Sequence, residues 1–576
     1  MKVIIIGGVA GGASCAARLR RLNENAEIII YEKTNYISYA NCGLPYYIGD
    51  VIKEESSLTL STPSSFKKRF NIDVFVNHEV LKIDSLKKQV IVKDLINNTE
   101  FVNSYDKLVI ATGAKAIKPN FYLEDERVFT LKTVEDAIKI KEYIKNNTVN
   151  NAAIIGGGFI GLEMSENLKS LGLDVALIEG KDHVLNNLDF DIASFVHNNL
   201  IKNDIKLYLN TFVDKLIRVN NKIQVIFQDK SIKEFDIIVC SIGVRPESLL
   251  GKDIGLELGI NNLIKVNEHM ETSINDIYAV GDVVEVKNFI TCDNSQISLA
   301  GPANKQGRIA ADNICGIKST YKGSLASSII KVFDLSVATT GINEETCKRL
   351  NINYEKVIFT SSSHANYYPG GKSLTSKIIY NKDNLDILGG QIIGYDSVDK
   401  RIDVLATAIF SKLKATNLKD LDLSYAPPYS TAKDPINMAG FIIENIEQNL
   451  VKQFYYEDIN NLRKEDVILL DTRTKTEYER GHAEGFMHIP LDELRNRLTE
   501  LDKSKPIYVM CQSGLRSYIA TRILCQSGFN AYNFAGGYFL YSSVEKSKCL
   551  TKEIYNCGMD RNIKWKLNAF FLTFFN

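Results

Sequence analysis

Cys42 stands alone in Ser38-Tyr39-Ala40-Asn41-Cys42-Gly43-Leu44-Pro45-Tyr46-Tyr47, a turn punctuated by glycine and proline, and the next cysteine is Cys240. A thiolate at such a site can attack a disulfide sulfur, which calls for a pKa brought down from roughly 8.5 towards neutrality by positive charge or a helix end. A mixed disulfide on Cys42 has no neighbouring thiol in the chain to resolve it, so its second sulfur is expected from a small molecule or another site. Cys511, in Cys511-Gln512-Ser513-Gly514-Leu515-Arg516-Ser517, is the candidate for that other site. The apolar run Ile507 to Met510 reads as a strand that delivers it into a loop, with a helix beginning near Arg516. Loop N–H groups, a helix N-terminus and the Arg516 cation can together surround a thiolate or persulfide.

The elements that must position these sulfurs follow from periodicity. Val3 to Ile6 is an apolar run entering Gly7-Gly8-Val9-Ala10-Gly11-Gly12, then Ala13 to Leu22 is helix-compatible and Glu27 to Tyr31 reads as a strand. The pattern returns at Ala152 to Ile155, Gly156-Gly157-Gly158-Phe159-Ile160-Gly161, a helix through Leu171 and the strand Asp174 to Ile178. Such a loop aims backbone N–H groups at a pyrophosphate, and Glu32 and Glu179, about 20 residues beyond their loops, suit a ribose hydroxyl. One glycine loop also serves packing alone, and the first has Val9 at the middle glycine position. Two loops with matched carboxylates favour two dinucleotide sites.

From Tyr321 to about Met438, strand-like and helix-like segments alternate without a third loop, ending in Ser424-Tyr425-Ala426-Pro427-Pro428-Tyr429-Ser430, which suggests an α+β domain. A polar stretch near Glu447 to Tyr456 leads into a last globular unit of about 90 residues and a tail from about Lys546.

At 576 residues the chain exceeds one core. Its 69 basic and 69 acidic residues leave no field favouring nucleic acid or anionic lipid. The apolar start is interrupted by glycines and followed, not preceded, by basic residues, the reverse of a secretory signal, so a cytoplasmic protein is expected. Ten scattered cysteines without a Cys-x-x-Cys pair suggest neither a disulfide framework nor a metal site. Cys549 and Cys557 read as bystanders, and Ala569 to Phe575 is too short to span a bilayer.

With Ala111-Thr112-Gly113 between the nucleotide units and Ile277-Tyr278-Ala279-Val280-Gly281-Asp282 after them, the chain resembles the pyridine nucleotide-disulfide oxidoreductase family. It is most similar to the single-cysteine coenzyme A-disulfide reductase branch fused to a rhodanese domain. The resemblance implies an α/β protein with two Rossmann-like, glutathione reductase-like domains, an α+β dimerisation domain and an α/β rhodanese domain. The expected boundaries are 1–113 with 246–320 for FAD, 114–245 for NAD(P)H, 321–445 for dimerisation, 455–545 for rhodanese and 546–576 for the tail. Gly7, Gly8, Ala10, Gly11, Gly12, Glu32, Thr112, Gly113, Gly281 and Asp282 then hold FAD; Gly156, Gly158, Gly161 and Glu179 hold the nicotinamide nucleotide. A carboxylate at Glu179 disfavours a 2′-phosphate, so NADH is expected, and Lys181 leaves NADPH as the alternative.

Two-cysteine relatives place their second sulfur at position 47, which here is Tyr47. The implied cycle carries two electrons from NADH through FAD to Cys42, which lies at a helix start and exchanges with coenzyme A persulfide, coenzyme A disulfide or polysulfide. Arg18 and Arg21, three apart on one helix, read alone as a solvated basic end. The resemblance makes them coenzyme A ligands with Ser38, Asn41, Asn304, Arg308 and Lys433. It also brings Tyr425, and Tyr367 or Tyr368, to Cys42 of a second subunit, which makes a homodimer. The last unit resembles a rhodanese through Asp471, Arg473, Gly481, His482, Cys511, Arg516 and Ala535-Gly536-Gly537, and its loop is one residue shorter than in related phosphatases. NADH oxidase or peroxidase chemistry through a sulfenic acid is the alternative, although those enzymes usually carry histidine where this chain has Ala10. A slow flavin redox sensor is the other.

Overall fold

The computed structural model describes residues 1–463 and 465–552. Cys557 and the run 569–575 lie outside the described residues. The chain forms two compact units, Met1–Gly180 with Thr211–Ala326, and Lys181–Asn210 with the chain from Ser327 onward.

In the first unit, strand Lys2–Ile6 lies between Glu27–Tyr31 and Lys107–Ile110, with Asp73–Phe75 and Ile277–Ala279 outside them, all parallel. The run is apolar throughout because both faces are covered, as parallel sheets require. Val3 and Ile5 join one core cluster and Ile4 and Ile6 another. Helix Ala10–Leu22 starts inside the glycine loop, three residues earlier than its apolar pattern suggests. Its neighbour is helix Ala300–Ile314, and a Cβ on Gly307 would sit 2.3 Å from the Gly11 carbonyl oxygen, so these two backbones nearly touch. A second parallel sheet orders Asp174–Ile178, Asn151–Ile155, Ile237–Cys240 and Val128–Thr130. Helix Phe159–Ser170 follows its glycine loop.

The second unit holds a five-stranded antiparallel sheet, Ser328–Val332, Leu335–Gly341, Ile387–Gly394, Ser373–Asn381 and Tyr354–Ser362, with helices Val398–Phe410 and Pro435–Glu447. Its other sheet is parallel, in the order Lys452–Phe454, Ala531–Phe534, Ile507–Met510, Ile468–Asp471 and Met487–His488. Helix Gly537–Lys552 runs through the boundary expected at 545.

Residues 181–210, inside the segment expected to form the nicotinamide domain, belong to this second unit. Helix Phe190–Lys202 turns a polar side to helix Gly537–Lys552: the Ser194 and Ser543 hydroxyls are 2.8 Å apart, His197 Nδ1 lies 2.7 Å from the Ser547 hydroxyl, and Asn198 donates to the Ser543 carbonyl. Burial, with His183 adding to it, pushes the His197 imidazole down to about 3, so the ring is neutral. Nearby, the Lys377 ammonium is buried against Asp189 at 3.0 Å, Asp191 at 2.9 Å and Glu344 at 2.8 Å. Glu344 also accepts from the buried Lys356, which reaches Glu457.

Candidate functional site

Both glycine loops are built to the same plan. Gly7 and Gly156 take φ of +100° and +110°, and a Cβ on Gly12 or Gly161 would lie 2.0 or 1.9 Å from the carbonyl oxygen of Gly7 or Gly156. Only glycine permits that turn and that closeness of strand end to helix start. Glu32 accepts from the Gly8 N–H at 2.9 Å and Glu179 from the Gly157 N–H at 2.7 Å. Each carboxylate thereby pins its own loop, a role that spacing alone did not reveal. Val9 is the N-cap of its helix, where a side chain is tolerated. At Gly158 and Gly113 an added Cβ would meet nothing within 4 Å, leaving open space beside backbone, and Thr112 is fixed by its hydroxyl on the Glu247 carbonyl. These cradles fit dinucleotide pyrophosphates. Gly281 donates to Gln306, and Asp282 pairs with Lys132 at 3.1 Å.

Cys42 sits in the single turn Asn41–Gly43 that runs into helix Leu44–Ile48, and it is exposed. That helix is clamped on two sides. A Cβ on Gly49 would come within 2.2 Å of the Asn167 side-chain oxygen on helix Phe159–Ser170. From helix Val134–Asn146, Lys141 donates to the Tyr47 carbonyl at 2.7 Å and lies 3.9 Å over its ring. Tyr47 is buried, so the position of the missing second sulfur is a packing site.

The expected lowering of the Cys42 pKa is not what the protein groups provide. Loss of water around the side chain raises it, the Glu163 carboxylate and Asp282 raise it further, and Lys132 opposes them. Burial pushes Glu163 itself up to about 7, with Glu166 adding repulsion and the Tyr46 hydroxyl, 3.5 Å away, counteracting. Sequence reading missed Glu163, on helix Phe159–Ser170, and Lys132, in the bend before helix Val134–Asn146, because a lone charged residue ordinarily reads as solvated. Asn41 carries a signal of another kind: its side-chain oxygen is shut from water without a hydrogen-bond partner among the described residues, beside Cys42.

The two arginines expected to share a face have different surroundings. Arg18 donates to Asp312 at 2.7 Å, whereas Arg21 is exposed. Arg20 between them is buried and donates to the carbonyls of Asn23, Phe70 and Asn71. Asn304 meets the Ser14 hydroxyl, and Arg308 is exposed on the same helix. Ser38 adopts φ +47° and donates its N–H to the Gly8 carbonyl, fastening the cysteine turn to the first loop. In the second unit Lys433 is exposed. The Tyr367 and Tyr425 phenols there lie 2.5 Å apart while both rings face solvent, at 75% and 45% exposure. Tyr368 packs instead on His364, so Tyr367 is the partner of Tyr425. The hydrogen bond from Tyr367, and burial after it, raise the Tyr425 pKa.

Cys511 leaves strand Ile507–Met510 fully buried, and its sulfur receives the Gly514 N–H at 3.1 Å and the Ser517 hydroxyl at 3.2 Å. Tyr538 and Phe539 donate N–H bonds to the Cys511 and Gln512 carbonyls. A Cβ on Gly537 would press to 2.6 Å from the Gln512 oxygen, which is why glycine precedes them. Arg473 and Asp471 form a buried pair at 2.7 Å, and the Arg473 guanidinium lies 3.8 Å from the Tyr538 ring centre. Arg516 grips both oxygens of Glu477 at 2.7 Å each. Glu477 was missed, although Thr474-x-x-Glu477 is a capping-box pattern that marks its helix start.

Three family models match: pyridine nucleotide-disulphide oxidoreductase over residues 1–307, the dimerisation domain of that family over 327–435, and a rhodanese-like domain over 457–543. Coenzyme A disulfide reductase of Staphylococcus aureus strain JH9 is 35% identical over 441 residues, 76% of this chain and 99% of that protein. The structure of reduced Bacillus anthracis CoADR-RHD is 46% identical, with a TM-score of 0.92 over 95% of this chain and 98% of that one. That of a NAD-dependent persulfide reductase from A. fulgidus is 36% identical, with a TM-score of 0.89 over 94% and 100%. Two dinucleotide cradles, a clamped cysteine turn, an antiparallel domain and a cysteine loop on a parallel sheet thus occur here in one family's order, and this chain belongs to the pyridine nucleotide-disulphide oxidoreductases, with that family's dimerisation domain and a rhodanese-like domain.

Proposed function

We propose that this chain is an NADH-dependent flavoprotein that reduces coenzyme A persulfide, coenzyme A disulfide or polysulfide at Cys42, coupled to sulfur transfer at Cys511. The observation that carries this reading is an exposed solitary cysteine, clamped beside two dinucleotide cradles, in a chain that also holds a second cysteine inside an anion-stabilising loop. Bound FAD and NADH supply the two-electron reduction, FAD held by the Gly7–Gly12 loop with Glu32, Thr112, Gly113, Gly281 and Asp282, and NADH by the Gly156–Gly161 loop with Glu179. Cys42 Sγ forms the new S–S bond as the substrate's own breaks, and the departing thiolate takes a proton from the Tyr367–Tyr425 pair of a second copy in a homodimer. A cytoplasmic protein is part of this reading; among the described residues no helix is long and apolar enough to cross a membrane.

Peroxide or oxygen reduction is the competing reading, and Ala10 stands where the oxidases usually carry histidine. An anaerobic assay of nicotinamide oxidation with coenzyme A persulfide, coenzyme A disulfide, polysulfide and peroxide tests both. NADH is expected to be preferred over NADPH in kcat/KM, because Glu179 repels a 2′-phosphate. Peroxide as the best substrate would remove the reading, and a tenfold preference for NADPH would remove the assignment to NADH.

Arg18, Arg21, Ser38, Asn41, Asn304 and Arg308 make the coenzyme A groove in this reading, and the orphaned Asn41 oxygen suits a donor of the pantetheine arm. Replacing Arg18 and Arg21 together with alanine is expected to raise KM for coenzyme A disulfide about tenfold while small persulfides change little. Equal effects on both classes would refute the groove.

A further inference from the structure

The Cys511 loop carries a charge balance that bears on its sulfur donor, taking the last domain as the sulfurtransferase proposed above. Two guanidinium groups stand by the loop, and each is matched by a carboxylate. Arg473 is consumed by the buried Asp471, through three contacts of 3.0, 3.0 and 2.7 Å. Arg516 meets Glu477 in a two-pronged pair, Nη1 on one oxygen and Nη2 on the other. Paired forks of this kind are strong and directional. Glu477 is not free to turn away, since Oε2 also accepts the N–H and hydroxyl of Thr474 at 2.9 and 2.8 Å. Burial pushes its carboxyl up, but the bonds from Arg516 and Thr474 outweigh that and hold it down at about 2. Among the described residues, the hydrogen bonds that reach the Cys511 sulfur are neutral: one N–H and one hydroxyl. Such donors suit a single negative charge, and a dianion entering the loop would meet the Glu477 carboxylate without an unmatched guanidinium to offset it.

We propose that Glu477 sets the donor class of the Cys511 loop: by closing on Arg516 it selects alkyl persulfides, whose reacting end carries at most one negative charge, against dianionic thiosulfate. The chemistry is the same for both. The Cys511 thiolate attacks the outer sulfur of the donor, a Cys511–sulfur bond forms as the donor S–S bond breaks, and the electron pair leaves on the donor thiolate or, from thiosulfate, on sulfite. Cyanide then takes the sulfane sulfur as thiocyanate and returns the thiolate. No external oxidant or reductant enters.

The test measures thiocyanate formation by the holoenzyme with glutathione persulfide or with thiosulfate, for the parent, Glu477→Gln and Glu477→Asp. Glutamine can still complete the helix cap, so the first variant removes charge with the helix start retained. The parent is expected to turn over glutathione persulfide with the higher kcat/KM. In Glu477→Gln the ratio of thiosulfate to persulfide kcat/KM should rise about tenfold or more, whereas Glu477→Asp, which keeps the charge, should stay close to the parent. A parent that prefers thiosulfate, or a ratio unmoved in Glu477→Gln, overturns the proposal. Should the parent yield no thiocyanate from either donor, the sulfurtransferase reading itself falls and takes the proposal with it. A parent that prefers thiosulfate overturns the proposal even if the glutamine variant does not fold.

Discussion

Cys42→Ser is expected to lower anaerobic NADH consumption with coenzyme A disulfide and coenzyme A persulfide by about a thousandfold or more, because a hydroxyl cannot form or release the mixed disulfide. The fold should survive, since Cys42 is exposed and serine is nearly isosteric with it. The purified variant should therefore keep the visible absorbance of bound flavin, and that spectrum separates lost chemistry from lost structure. Undiminished turnover with serine at this position would end the proposal that Cys42 carries the exchange. The protein groups near Cys42 raise its thiol pKa, through desolvation first and then Glu163. Parent turnover should accordingly climb as pH rises through neutrality, where Glu163 also titrates, at about 7.

The largest stability effect is expected at Lys377. Lys377→Met fits the same volume but strands Asp189, Asp191 and Glu344 without the ammonium that all three now share. Removing one partner from a buried ionic cluster costs about 3–5 kcal/mol, well beyond an exposed pair. Calorimetry should show the first transition falling by roughly 10 °C or more. The pH dependence follows from the signs. In the parent, burial acts to raise Glu344, but Lys377 and Lys356 overcome it and hold the group well below the usual carboxylate range. Its stabilisation is therefore present above the unfolded pKa, near 4.3, and is lost only in strong acid. Without Lys377, burial and mutual repulsion push the carboxylates up, so the variant binds protons more readily folded than unfolded. Its deficit should shrink from pH 8 to pH 5. A deficit that stays constant across that range would show that lost packing, not stranded charge, is responsible.

Much of the scaffold was legible because its determinants are local. The runs Lys2–Ile6 and Asn151–Ile155 announce buried parallel strands, and the glycines after them announce turns that no other residue can make. Cys511 could be placed on the loop after its strand, and Arg516 at the start of the following helix, for the same reason. What could not be read depends on partners distant in sequence. Arg18, Arg20 and Arg21 look alike in the chain, yet one is paired with Asp312, one is spent on backbone carbonyls and one is exposed. Residues 181–210 belong to the second unit, and two of their partners there, Glu344 on Asp189 and Ser543 on Ser194, are more than a hundred positions away. Glu163 and Glu477 were hidden because carboxylates on helices usually face water, and only proximity to Tyr46 and to Arg516 distinguishes these two.

The helix Phe190–Lys202 bears on how the two chemistries can be taken apart. It lies within the stretch that sequence assigns to nucleotide binding, but its hydroxyl, imidazole and amide side chains find their counterparts on Ser543 and Ser547. Shortening the chain before the rhodanese-like region would open those groups to water and let His197 recover its charge. A truncated reductase is thus a perturbed one, and dissecting the contribution of each sulfur calls for single-atom exchanges at Cys42 and Cys511 within the intact polypeptide.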